Sequence, residues 1–112
     1  MHLSLLELQV LLAIISLKPN AHAGSILEEI NKRTKRNHWH GTIYAALDRL
    51  EEQGLIKRVL QRQPTPMRGG KRKFLFALTT PGRQTLTRSL RAIASFLVAS
   101  PRYASALGLR PG

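Results

Sequence analysis

A chain of 112 residues with 43% hydrophobic content is long enough for one domain with a modest core and too short for two independent ones. It has no cysteine, which excludes disulfides and thiolate metal sites and fits a reducing cytoplasm. The net charge is +12, and its distribution is uneven: six acids and six bases balance in residues 1–52, whereas residues 53–112 hold twelve Lys and Arg and no acid. So one-sided a field suits a polyanionic partner, either nucleic acid or an anionic membrane surface.

Residues Leu5 to Leu17 carry apolar side chains on almost every face, so a helix here is expected to be buried nearly all round, with half of that burial left for a second protomer. The run is too short and too interrupted to span a bilayer, and it lacks the charged start and small-residue cleavage site of a signal peptide. A Pro-Asn turn at Lys18–His22 precedes a second helix from about Ala23 to Lys35, marked by Ile26, Leu27 and Ile30. The cations of its last turn suit the negative end of the helix dipole.

After a break at Asn37–His40, Ile43, Ala46, Leu47 and Leu50 form one helical stripe while Thr42, Ala45 and Arg49 point elsewhere, and Gly54 closes this third helix in a left-handed conformation. Leu55 to Arg62 and Phe74 to Thr79 alternate as strands. Between them QPTPMRGGKRK makes a long cationic hairpin tip, in which Gly69 and Gly70 allow a tight reversal. LTTPGRQTL then starts a final helix to about Val98, with Thr80 as its N-cap and Pro81 in the first turn. The tail from Ser100 shows no sustained period and is expected outside the packed core.

This order is that of a winged helix-turn-helix: mainly α with a small β-hairpin, followed by a C-terminal dimerisation helix. The expected units are residues 1–79, 80–99 and a tail at 100–112. The third helix would lie in the major groove, which is about 12 Å wide and gives each base pair a distinct hydrogen-bonding pattern. His38, His40, Gly41, Thr42, Tyr44 and Arg49 are the DNA-contact candidates on or beside that helix. Arg68, Gly69, Gly70, Lys71, Arg72 and Lys73 form the candidate wing, set against phosphates or a minor groove. A dimer seam is expected from Leu5, Leu8 and Leu12 with Leu86, Leu90, Ile93 and Leu97, the last four spaced by four and three.

Three segments, LSLLELQVLLAII, GTIYAALDRLEEQGLI and PTPMRGGKRKFLFALTTPGRQTL, together resemble the PadR family of bacterial transcriptional regulators over residues 3 to 98. The resemblance implies a homodimeric repressor on an inverted-repeat operator, often released by a small molecule, with Tyr44 on the DNA backbone and Arg68 to Lys73 tracking phosphates. The chain departs from the family where His22 and Ala23 replace its usual Tyr and Gly, and in a final helix without tryptophan.

His38-Trp39-His40 lacks the acid or cysteine that would complete a metal site, so no cofactor or metal is expected; Trp39 is expected to cap the core, with the histidines facing phosphates. No nucleophile motif or phosphate-binding glycine loop suggests an enzyme, and the glutamates sit beside basic residues at helix-surface positions. The rival expectation is a basic architectural DNA- or RNA-binding protein without sequence preference.

Overall fold

The structure, a computed structural model, describes residues 2–60, 74–99 and 102–108. The expected wing tip, Arg68 to Lys73, lies outside the described residues. The elements are α1 (Leu5–Leu17), α2 (Ala23–Thr34), α3 (His40–Glu52), β1 (Ile56–Leu60), β2 (Phe74–Leu78), α4 (Thr80–Ala99) and α5 (Arg102–Leu107).

Helix α1 begins on a reciprocal cap. The Glu7 N–H donates to Ser4 Oγ (3.1 Å) and the Ser4 N–H donates to Glu7 Oε1 (2.8 Å), so two end donors are satisfied at once. Within one chain α1 is buried along one side only. Glu7, Leu8, Val10, Leu11, Ala13 and Ile14 are buried, but Leu5, Leu12 and Ile15 are exposed. One helix 13 residues long can face a small core along one side only.

His22 caps α2, its ring Nδ1 accepting from the Ser25 N–H (3.3 Å). Ile26, Leu27 and Ile30 face the core, and the helix ends at Lys35 in the left-handed region (φ 56°). In the turn that follows, Asn31 holds the backbone of His38 from both sides: the His38 N–H donates to Asn31 Oδ1 (2.9 Å) and Asn31 Nδ2 donates to the His38 carbonyl (3.4 Å). That clamp sets where α3 starts.

Helix α3 buries Ile43, Ala46, Leu47 and Leu50, the expected stripe. Its C-terminus closes as a Schellman motif around Gly54 (φ 74°), with the Leu55 N–H donating to the Leu50 carbonyl (2.9 Å) and the Gly54 N–H to the Glu51 carbonyl (3.0 Å). The chain then enters β1, which pairs antiparallel with β2 in the register Ile56 to Leu78, Arg58 to Phe76 and Leu60 to Phe74. On the other edge of β2, the Phe76 N–H donates to the carbonyl of buried Ala21 (2.7 Å), tying the hairpin to the α1–α2 loop.

The cap of α4 is Thr79, one residue before the expected Thr80. Thr79 Oγ1 accepts from the Gly82 N–H (3.1 Å) and donates to the Gly54 carbonyl (2.6 Å), while the Thr79 N–H donates to the Leu55 carbonyl (3.0 Å). The start of α4 is thereby fastened to the end of α3. Leu86 seals the core, whereas the described side chains from Leu90 to Leu97 are exposed. The tail contains a short helix, α5, where an aperiodic segment was expected; its Leu107 is 70% exposed.

Candidate nucleic-acid interface

The two turns of α3 that follow the clamped loop present a small, uncharged surface. Gly41, Thr42 and Ala45 are exposed, Tyr44 beside them is 52% exposed, and His40 is exposed at the first helical position. The Thr42 and Ile43 N–H groups both turn back to the Trp39 carbonyl (3.1 and 3.3 Å), which leaves the N–H groups of His40 and Gly41 without an intrahelical acceptor. With the positive end of the helix dipole behind them, these donors suit a phosphate oxygen. Lys32, Lys35 and Arg36 are exposed at the adjacent end of α2, and Lys57 is exposed on β1.

Further along α3 the exposed face changes sign, with Asp48, Glu51 and Glu52 in its last two turns. Two of these acids are answered from the hairpin: Arg58 Nε lies 3.0 Å from Glu51 Oε1, and its Nη2 lies 3.4 Å from Asp48 Oδ1. The same guanidinium stands 5.3 Å from the Phe74 ring centroid and 5.6 Å from that of Phe76. Arg58 therefore clamps the hairpin to α3 and neutralises carboxylates that would face a polyanion. Read from the sequence it was one of several alternating strand cations; only the register opposite Phe76 reveals it.

Three of the expected site residues, Arg49, Leu8 and Leu86, make contacts within the chain itself. Arg49 is turned toward α1, its Nε 3.4 Å from Glu7 Oε2, because a carboxylate buried beneath α3 requires a partner. Burial pushes the Glu7 carboxyl up, but the Ser4 backbone and side chain and the Arg49 guanidinium outweigh it and hold it below the usual carboxylate value. Leu8 and Leu86 belong to the chain's own core, leaving Leu5, Leu12, Leu90, Ile93 and Leu97 on the surface. Trp39 does not cap the core. It is the N-cap residue of α3 and 80% exposed, while His38 beside it is half-buried.

A cavity of about 300 Å3 lies between α1 and α2, with Leu12, Ala13, Ile30 and the Glu29–Arg33 ion pair in its lining. Among the described residues no cluster of His, Asp and Glu could hold a metal, and no helix is long and apolar enough to cross a membrane.

The sequence profile of the transcriptional regulator PadR-like family matches residues 11–88. The chain belongs to the PadR-like family. No curated protein is a significant match to this PadR-like sequence. Among solved structures, a PadR-like regulator from Bacillus cereus superposes with a TM-score of 0.69 at 20% identity, covering 91% of this chain and 90% of that one. A PadR-like transcription factor from Bacteroides fragilis gives 0.63 at 22% identity, covering 88% and 87%. Bacillus subtilis PadR, solved in complex with operator DNA, gives 0.60 at 21% identity and covers 78% of this chain but 47% of its own. At these identities the superpositions establish the fold, a winged helix with a C-terminal helix, and this PadR-like chain is a transcriptional regulator by its family.

Proposed function

We propose that the protein is a homodimeric, sequence-specific repressor whose α3 enters the major groove of a near-palindromic operator in the cytoplasm. The observation that carries this reading is the first half of α3. Small exposed side chains and two open N–H donors stand where close approach to a phosphate and a base edge is needed, with Lys32, Lys35 and Arg36 exposed at the end of the preceding helix. Thr42 is the base-reading candidate, Tyr44 the phosphate contact, and His38, His40 and Gly41 border them. The cations Arg68, Lys71, Arg72 and Lys73 of the segment that contains Gly69 and Gly70 add sequence-independent affinity.

Dimerisation is supported by the exposed apolar residues Leu5 and Leu12 on α1 and Leu90, Ile93 and Leu97 on α4, a surface that a second copy would cover. Release by a small molecule finds support in the α1–α2 cavity, whose volume is at the lower end of ligand pockets.

Fluorescence anisotropy at near-physiological salt, with the protein's own upstream DNA beside a scrambled duplex, tests the reading. Specific regulators favour their site by about 10³-fold or more. Footprinting should then show two half-sites about 10 bp apart. The twelve bases and no acids of residues 53–112 favour the alternative, nonspecific DNA or RNA binding, which equal and salt-sensitive affinity for both duplexes would establish.

A further inference from the structure

We infer that Trp39 is a DNA-contact residue: its indole packs against the deoxyribose-phosphate strand at the mouth of the major groove and anchors the N-terminus of α3 there. The inference rests on the DNA-binding reading above and adds a residue to it. Two features of Trp39 oppose ordinary structural roles. It occupies the N-cap position, with the extended backbone (φ −78°, ψ 153°) that suits Ser, Thr, Asp or Asn, yet its side chain makes no capping hydrogen bond. It is also the chain's only tryptophan and is 80% exposed, so the core gains little from the largest apolar side chain in the sequence. Folding alone would favour a small capping residue at this position.

The surroundings indicate which partner covers it. Beside Arg33, which is paired with Glu29, residues 32–40 contain Lys32, Lys35, Arg36 and two histidines but no acid, and the open N–H groups of His40 and Gly41 follow directly. A polyanion with apolar sugar faces matches that mixture of positive potential, free donors and exposed indole. The indole N–H can donate to a phosphate oxygen while the ring covers the sugar. Asn31 fixes the backbone of His38, so the position of Trp39 is set before binding.

The test uses the intact protein and a duplex that the protein itself selects from a random pool. Because Trp39 is the sole tryptophan, its emission reports on this position alone. Saturating duplex should blue-shift or quench that emission and block acrylamide access to the ring. Trp39→Ser should keep or raise the melting temperature, since serine can cap α3, while lowering DNA affinity about 10- to 100-fold, the size expected for about 100 Å2 of indole surface no longer buried. Trp39→Phe should recover part of the loss. The inference is overturned if Trp39 stays open to acrylamide in a complex that anisotropy shows to be saturated, or if Trp39→Ser binds as tightly as the parent. Protection that follows protein concentration without DNA would assign the ring to a second copy and overturn it too. If no duplex can be selected, the DNA-binding reading falls, and this inference with it.

Discussion

Gly82→Ala sets two physical expectations against each other. In a helix, replacing glycine by alanine is worth up to about 1 kcal/mol in favour of the folded state. At position 82, however, an added Cβ would stand 2.0 Å from the Leu55 carbonyl oxygen and 2.9 Å from its carbon, where ordinary contact begins at 3.4 Å. Both are backbone atoms, so no side chain can swing aside; α4 or the α3–β1 turn must move by about 1.4 Å, the difference between those distances. That shift strains or breaks the Thr79 N–H bond to the Leu55 carbonyl and the Thr79 hydroxyl bond to the Gly54 carbonyl. At about 0.5–1.5 kcal/mol for each bond, plus loosened packing around Leu86, the loss exceeds the propensity gain by about 1–3 kcal/mol. The melting temperature should fall by roughly 5–20 °C. Far-UV circular dichroism during heating and in urea measures this, at one fixed protein concentration because a dimer's midpoint depends on it. A variant as stable as the parent, or more stable, would refute the claim that α4 is seated on Leu55 through this glycine.

Gly41→Ala should behave in the opposite way: nothing lies within 4 Å of an added Cβ, so the free protein should gain up to about 1 kcal/mol, while its methyl should weaken DNA binding about tenfold if α3 meets a phosphate there. Unchanged affinity in an anisotropy titration would remove Gly41 from the interface. Arg58→Met leaves Asp48 and Glu51 unanswered on α3; stability should fall by about 1 kcal/mol and DNA affinity should drop, with Asp48→Asn in the same chain restoring part of the affinity. A double-mutant cycle without coupling would contradict the clamp. Because the folded carboxyl of Glu7 is held below its unfolded value of 4.5, its contribution to stability is present above that value and is lost as pH falls through the folded one. Glu7→Gln should cost about 1–2 kcal/mol at neutral pH, and the stability curves of parent and variant should converge in acid; parallel curves would show that Glu7 is not the titrating group.

Local patterns made the helices and the hairpin legible, because helical spacing and strand alternation survive without any tertiary knowledge. Where two neighbouring residues satisfy a local rule equally well, tertiary contacts decide. Thr79 and Thr80 can each cap a helix before Pro81, and the choice falls to Thr79 because its N–H meets Leu55 across the fold. A run of leucines likewise cannot separate the chain's own core from a partner's share. Leu8 and Leu12 differ by about one helical turn in sequence, yet one is buried and the other exposed. Arg49 lies seven residues after Thr42, on the same side of α3, and its half-exposed side chain pairs with a buried carboxylate 42 residues away. Trp39 misled because large aromatics are usually interior. The signal for α5 was present: Pro101 precedes and Gly108, at φ 69°, follows six residues with Ala, Ser and Leu among them, a Pro-start and Gly-stop pattern.

The two halves of α3 constrain how the helix can approach DNA. Its first two turns carry open donors and no acid, while its last two carry Asp48, Glu51 and Glu52 on the exposed side. A helix laid flat along the groove would bring those carboxylates toward phosphates, so the charge pattern favours entry by the N-terminal end, with the acidic end lifted away and screened by Arg58. The lifted end is also the fastened one. Through Gly54 and Leu55 it is hydrogen-bonded to Thr79 and packed on Gly82, at the root of the helix that carries Leu90, Ile93 and Leu97. In the proposed dimer, the tilt of each reading helix and the separation between the two would therefore be set at one junction. A change in how two copies pair would reach the DNA surface there without altering any residue that touches the duplex.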